Sequence, residues 1–297
     1  MSYVVAALYK FVELPEYRSM RGPLLAACED AGVRGTLLLA REGVNGTIAG
    51  TRAGVDAVLD HLRQDPRLTD LAPREAAAPA IPFKRLKVRL KRELISIGVS
   101  GVDPRRGVGE YVDPEAWNAL ISDPEVRVID TRNDFEIEIG TFERAEDPRT
   151  ASFSNFPEYV HEKLDPERDR KLALFCTGGI RCEKATAYLL QQGFSEVYHL
   201  KGGILHYLET VPAEQSLWKG DCYVFDERVS VRHGLTPGDY DACKGCGRPV
   251  SDADRVSPLF EEGVSCPRCA DALTESQRAA FRERQRQYER QRKARRA

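Results

Sequence analysis

Hydrophobic positions fall in short blocks whose period changes along the chain. Residues 3–9 (Tyr-Val-Val-Ala-Ala-Leu-Tyr) form an apolar run of strand length, and residues 17–31 predict a helix closed by Gly32. Gly35–Ala40 and Thr47–Ala49 predict two further strands, with Asn45-Gly46 between them as a hairpin-turn signal. Thr51 is placed to cap a helix whose apolar positions are Val55, Val58, Leu59 and Leu62. A last strand is expected within Phe83–Leu94.

The order β-α-β-β-α-β predicts a ferredoxin-like (split βαβ) domain over residues 1–95. Its last strand alternates sharply: Leu86, Val88 and Leu90 share one face, and Arg85, Lys87, Arg89 and Lys91 the other. A row of like charges repels itself unless a polyanion neutralises it, which makes these four candidate RNA-binding residues. The same basic residues also suit an edge strand guarded against aggregation.

Residues 95–112 are rich in Gly, Arg and Asp and read as a linker. Beyond it, Pro114 opens a helix over Glu115–Ile121. Strands at Val126–Ile129, Leu172–Phe175 and Val197–Leu200 then flank a helix over Cys182–Gln192. Apolar strands alternating with helices predict a parallel sheet covered on both faces, so the fold class is α/β. From Trp218 onward the pattern becomes short, turn-rich and cysteine-containing.

Cys176 follows an apolar strand and opens Cys176-Thr177-Gly178-Gly179-Ile180-Arg181-Cys182, at the edge of α/β sheets where ligands collect. Loop N–H groups, a helix N-terminus and Arg181 would all favour a thiolate, and the glycines let the backbone curl around the sulfur. A merely buried, inert thiol leaves those glycines and the arginine unexplained. Cys182 suits either a resolving thiol or packing at the helix start.

Cys-x-x-Gly-x-Arg after a strand resembles the active-site loop of a rhodanese domain, as do Val128-Ile-Asp130-Thr-Arg132-Asn and Val197-Tyr-His-Leu-Lys-Gly-Gly203. The loop has the six-residue, sulfur-carrying size, one residue shorter than in the related dual-specificity phosphatases. Gly35 to Gly50, Asp130 to Glu136, Phe156 to Tyr159, Cys176 to Lys184, Lys201 to Leu205 and Phe225 to Val229 follow in this order. Together they resemble the rhodanese-like tRNA uridine 5-hydroxylases over roughly residues 1–270. The resemblance implies a rhodanese domain at 111–215 and dioxygen as co-substrate. It also implies hydroxylation of the wobble uridine of certain tRNAs, with Cys176 and Arg181 as catalytic residues and Thr177–Ile180 and Cys182 as the loop. A sulfurtransferase passing a cysteine persulfide sulfur to tRNA or another acceptor is the alternative enzyme. An RNA-binding adaptor whose rhodanese domain only senses redox state is the non-enzymatic reading.

Cys243-x2-Cys246 and Cys266-x2-Cys269 are two knuckles nineteen residues apart. Four thiolates so spaced can close a tetrahedral structural zinc site, and the poorly apolar segment between them would draw its folding energy from the metal. Two redox pairs or an iron–sulfur cluster are the alternatives. A four-cysteine, zinc-ribbon-like segment with a basic helical tail is therefore expected at 216–297. Cys28 and Cys222 read as packing residues. The scattered histidines suggest no iron site, and no organic cofactor is evident.

Composition narrows the setting. With 42% hydrophobic and 30% charged residues the chain is globular, and no apolar run is long enough to span a bilayer. The N-terminus lacks a signal-peptide pattern, so a cytoplasmic location is expected, where eight cysteines favour metal or thiol chemistry over disulfides. The net charge is only −2, yet residues 277–297 carry nine Arg or Lys against Glu283 and Glu289. That tail suits a polyanionic partner, here tRNA, or simply a solvated helix end. No membrane partner is expected, and protein partners are not indicated.

Overall fold

A computed structural model describes residues 2–294. The chain divides into two compact units, residues 1–222 with 233–235, and the remainder.

The first unit begins with β1 (Tyr3–Phe11), α1 (Tyr17–Asp30), β2 (Arg34–Ala40), β3 (Gly43–Gly50), α2 (Arg52–Arg63), β4 (Arg74–Ala78) and β5 (Leu86–Leu90). Their sheet has the order β4-β1-β3-β2-β5, antiparallel except for the parallel β2–β5 pair. Leu24, Cys28, Val55, Val58 and Leu62 of the helices pack with Ala6, Leu8, Leu37, Leu39, Val44 and Ile48 of the strands, so both helices cover one face. Thr51 caps α2 as expected, its Oγ1 accepting the Gly54 N–H at 3.1 Å.

Two local expectations are corrected. The strand that closes the split βαβ unit is β4, beside β1, whereas Phe83–Leu94 supplies β5, an added strand on the opposite edge. Arg-Glu-Ala-Ala-Ala has neither alternation nor β-branched residues, so β4 carries no strand signal of its own. The hairpin turn lies at Arg41-Glu42, and Asn45-Gly46 sits inside β3. Pairing Val44 with Leu39 and Ile48 with Gly35 keeps both apolar side chains in the core, which fixes the register against the turn signal.

The rest of this unit contains β6 (Glu110–Val112), α3 (Pro114–Ser122), β7 (Val126–Asp130), α4 (Asp134–Ile137), β8 (Gly140–Phe142), α5 (Phe156–Lys163), β9 (Lys171–Phe175), α6 (Ile180–Gln191), β10 (Glu196–Leu200), α7 (Gly203–Thr210) and β11 (Trp218–Gly220). A parallel sheet of order β6-β10-β9-β7 forms its centre. The segment 95–112 is no loose linker. Ile97 and Val102 join the core of this sheet and β6 extends its edge, because isolated apolar residues without periodicity can still be buried.

The second unit is built around Cys243, Cys246, Cys266 and Cys269, with a short antiparallel pairing of Asp241–Ala242 with Pro249–Val250, then α8 (Asp252–Arg255) and α9 (Glu275–Ala294). Arg295 and Arg296 of the basic tail lie outside the described residues. Among the described residues, no helix is long and apolar enough to cross a membrane.

Candidate active site

β9 delivers Cys176 to the carboxyl edge of the parallel sheet, and α6 starts four residues later. Gly179 takes φ +100°, which turns its N–H onto Cys176 Sγ at 3.1 Å. From behind, the first turn of α7 holds the loop: the N–H groups of Ile204 and Leu205 donate to the carbonyls of Cys176 and Thr177. The loop carbonyls are thus occupied on one side and its amides face the sulfur. Cys176 is 1% exposed.

Burial alone would raise the Cys176 thiol. The Cys182 side chain, the Arg181 charge and the N–H groups of Cys182 and Gly179 outweigh it and bring the pKa down to about 6. Cys182 moves the other way, pushed up by burial and by its neighbour Cys176. It sits at the helix start, 3.6 Å from Thr131 Oγ1, with Thr131 also donating to the Phe175 carbonyl. One thiolate is favoured in this pair, at Cys176.

Arg181 does not point freely into the loop. Its guanidinium is held bidentately by Glu136, at 2.7 and 2.8 Å, and contacts Thr177 Oγ1 at 3.3 Å. Glu136 is fully buried, and it also accepts the Asn133 N–H at 3.1 Å in the capping box that opens α4. Despite burial, Arg181 and Arg132 hold its carboxyl below the usual range. Beneath it, Arg132 pairs with Asp130 at 2.6 Å, both fully buried. The Asp130-to-Glu136 segment is therefore the mount of the arginine beside the thiolate.

A second layer comes from the N-terminal domain and from β6, and sequence reasoning did not identify its residues as part of the site. Tyr9 of β1 and Tyr111 of β6 donate to Glu183 at 2.9 and 2.8 Å. Burial raises the Glu183 carboxyl, with those phenols opposing it. A Cβ on Gly179 would stand 2.9 Å from the Tyr9 hydroxyl, so Tyr9 lies directly on the cysteine loop. Lys184, 1% exposed, pairs with Glu42 at 3.0 Å and Glu93 at 2.6 Å. Glu42 belongs to the Gly35–Gly50 motif and Lys184 to the cysteine motif. Their contact shows what one does for the other.

Arg85, Lys87, Arg89 and Lys91 are all exposed along β5 and its ends, away from the cysteine loop in sequence and on the far edge of the sheet from β4.

In the second unit, the four Sγ atoms lie within 4.8 Å of one another. Cys246–Cys266, Cys266–Cys269 and Cys243–Cys269 are separated by 3.7, 3.8 and 3.9 Å. A tetrahedron of Zn–S bonds of ~2.3 Å has an edge of about 3.8 Å, so this donor set fits a tetrahedral metal. α9 packs on the knuckles: Arg282 pairs with Glu261 at 2.7 Å, and Arg278 and Arg284 donate to the carbonyls of Ala270 and Lys244. These three arginines of the basic tail are therefore engaged within the unit.

Comparison with known proteins matches residues 3–94 to a family model described as UPF0176 acylphosphatase like domain, and residues 113–210 to the Rhodanese-like domain. The chain is 56% identical over 287 residues to the tRNA uridine(34) hydroxylase of Teredinibacter turnerae, covering 97% of this chain and 89% of that one. The chain belongs to the tRNA uridine(34) hydroxylase family. Solved structures give weaker likenesses to this family member. The rhodanese-like domain from Anabaena sp. is 19% identical over 37% of this chain and 78% of its own, with TM-score 0.31. A rhodanese-like domain protein from Staphylococcus aureus is 18% identical over 33% and 90%, with TM-score 0.29.

Proposed function

We propose that this protein hydroxylates C5 of the wobble uridine of tRNA, as an oxidoreductase that uses dioxygen and depends on Cys176. The observation that carries the reading is Cys176 Sγ accepting the Gly179 N–H at 3.1 Å beside the Arg181 that Glu136 holds, surroundings that bring the thiol pKa down to about 6, in a chain of this family. One oxygen atom of dioxygen replaces the C5 hydrogen as hydroxyl. The other leaves as water, which takes two electrons and two protons from an external reductant.

In this reading the thiolate of Cys176 is the nucleophile. Its addition to C6 of uracil opens the C5=C6 double bond and places electron density on C5, the carbon that is to meet the oxidant. Once C5 carries the oxygen, loss of the C5 proton restores the double bond and expels the thiolate. Arg181, fixed by Glu136, and the N–H of Gly179 stabilise the sulfur charge, while Thr177, Gly178, Ile180 and Cys182 shape the loop. Residues 1–95 hold the RNA, with Arg85, Lys87, Arg89 and Lys91 on backbone phosphates, and residues 111–215 carry the chemistry. Within residues 216–297, Cys243, Cys246, Cys266 and Cys269 hold one structural zinc, which supplies folding energy to that segment. A tRNA substrate puts this work in the cytoplasm. A wobble base lies in a single-stranded loop, so it is cheap to splay into the site.

The test is nucleoside mass spectrometry of tRNA from a deletion strain, complemented with the unchanged gene or with Cys176→Ser. The expected outcome is 5-hydroxylated wobble uridine that disappears in the deletion and returns only with Cys176. Replacement of oxygen by sulfur shares the nominal mass change. Accurate mass pointing to that product would replace hydroxylation with persulfide sulfur transfer.

A further inference from the structure

The strand without a sequence signal, β4, carries Arg74 to the edge of the cysteine loop. Its side chain lies against Gly202, where any Cβ would overlap the guanidinium. Gly202 has φ +73° and caps α7, and a Cβ on the next residue, Gly203, would meet the Cys176 and Thr177 carbonyls and the Gly179 nitrogen at 2.5, 2.7 and 2.8 Å. Arg74 is thus one residue removed from the loop backbone.

This cation is poorly served by its own protein. Its side chain makes no hydrogen bond among the described residues, and Glu209 Oε2 stands 4.0 Å away. It is half-buried, and burial lowers its pKa from the ordinary arginine value. It also sits at the positive end of α7, where the helix dipole disfavours a cation. A guanidinium has five donors in a planar fork, and leaving them unmatched in a partly desolvated place is unfavourable unless a ligand completes them. A third of the side chain remains exposed, so a ligand can reach it.

The sheet register adds direction. Arg74 pairs with Ala7, Ala7 with Thr47, Thr47 with Thr36, and Thr36 with Lys87. The neighbouring row runs Tyr9, Asn45, Leu38 and Arg89. Both rows lie on the face opposite the two helices. Ile81 and Phe83 cover the adjoining Val5–Ala49 row and leave these two half-exposed. Four strand spacings separate Arg74 from Lys87, about 19 Å, a span of a few nucleotides.

We propose that Arg74 is a substrate-binding residue that grips a phosphodiester next to the uridine entering the Cys176 loop, and that the RNA strand leaves it across the sheet face opposite α1 and α2 towards Lys87 and Arg89. This rests on the tRNA reading above. A phosphate fits because two of its oxygens match the guanidinium fork and its charge offsets both Arg74 and the α7 terminus.

The experiment is a coupling measurement with the full chain and an anticodon stem-loop RNA carrying the wobble uridine. Wild type and Arg74→Gln are each titrated with the native RNA and with RNAs bearing one uncharged methylphosphonate, on the 5′ or the 3′ side of that uridine. Arg74→Gln is expected to weaken native binding about tenfold, the scale of a charge-assisted fork, at an unchanged melting temperature. One methylphosphonate should weaken wild type similarly and weaken Arg74→Gln no further. Arg74→Lys should retain a reduced coupling at the same linkage. Unchanged affinity in Arg74→Gln, or additive losses at both linkages, would overturn the proposal. Hydroxylation of the native RNA by wild type is followed in parallel. Product without coupling removes the Arg74 grip and leaves the function, whereas coupling without product removes the function and leaves the grip.

Discussion

Cys176 and the four-cysteine cluster put the same atom in opposite surroundings. Around Cys176 the neighbours are donors: the Gly179 N–H at 3.1 Å, and Arg181 held in place by Glu136. The loop itself therefore stabilises one negative charge. In the cluster backbone donors are present too, as the Cys266 N–H on Cys269 Sγ at 3.3 Å, but the sulfurs also crowd one another, at 3.7–3.9 Å. A second thiolate there repels the first, and four coexist only around a cation. One charge held by donors and a fixed arginine suits a nucleophile, and four mutually crowded sulfurs suit a metal ion. Cys182 shows the same rule inside the loop, since its neighbour is a thiolate and its own pKa goes up.

The sharpest way to break this contrast is to remove one sulfur from each region. Cys176→Ser should lower modification on the order of 10³-fold or more, because a serine in this loop is not ionised at neutral pH. Its melting temperature and metal content should stay at the wild-type values. Substantial product from this variant, measured by nucleoside mass spectrometry, would take Cys176 out of the reaction.

Cys243→Ala should do the reverse. Wild type is expected to carry about one zinc per chain, and this variant should lose it and expose residues 243–273 to protease. Alkylation of Cys176 should still titrate near pH 6. Elemental analysis that finds iron with visible absorbance, or no metal in the wild type, would reject the zinc assignment.

What the sequence reveals follows the same division. Cys176–Arg181 and the two Cys-x2-Cys knuckles are contiguous, so spacing alone exposes them. The alternation of Leu86, Val88 and Leu90 with basic residues likewise survives intact as β5. The supports of the site are not contiguous. Tyr9 reaches Glu183 across 174 positions, and Glu136 reaches Arg181 across 45. No local pattern encodes such pairs, and the motifs around Glu42, Glu136 and Lys184 name the residues without their partners. β4 and the segment 95–112 escape the sequence for a related reason: an edge strand of alanines and two isolated apolar residues owe their places to what packs on them.

A subtler intervention tests whether the Cys176 environment is electrostatic. Arg181→Gln combined with Glu136→Gln removes both charges and leaves two amides that can hydrogen-bond, so neither buried ion is stranded. The thiol should then rise from about 6 towards the ~8.5 of a free cysteine, held partway by the Gly179 and Cys182 N–H groups. At pH 7 the thiolate becomes the minor form, and alkylation of Cys176 should slow about tenfold, its pH midpoint moving upward. An unchanged midpoint would assign the low pKa to the Cys182 side chain and the backbone amides.

The smallest expected effect concerns the two basic regions. Lys87 and Arg89 are exposed on β5, and their side chains make no ion pair or hydrogen bond among the described residues. In α9, by contrast, Arg282 is paired with Glu261, Arg286 with Glu283, and Arg278 and Arg284 are tied to backbone carbonyls. The strand offers preformed, unspent charge, whereas much of the helix charge is committed to holding the knuckles. Each phosphate neutralised on single-stranded RNA changes the slope of log K against log salt by about 0.7, because its counterions are released. Lys87→Glu with Arg89→Glu should therefore weaken tRNA binding and flatten that slope by about 1.4 if each grips one phosphate. The melting temperature should hardly move, since both side chains are in water. Deleting residues 287–297, which spares the arginines that anchor α9, should weaken binding less. Equal affinity and slope in the double reversal would leave these residues as guards of an exposed sheet edge, and a larger loss on deletion would transfer the grip to the tail.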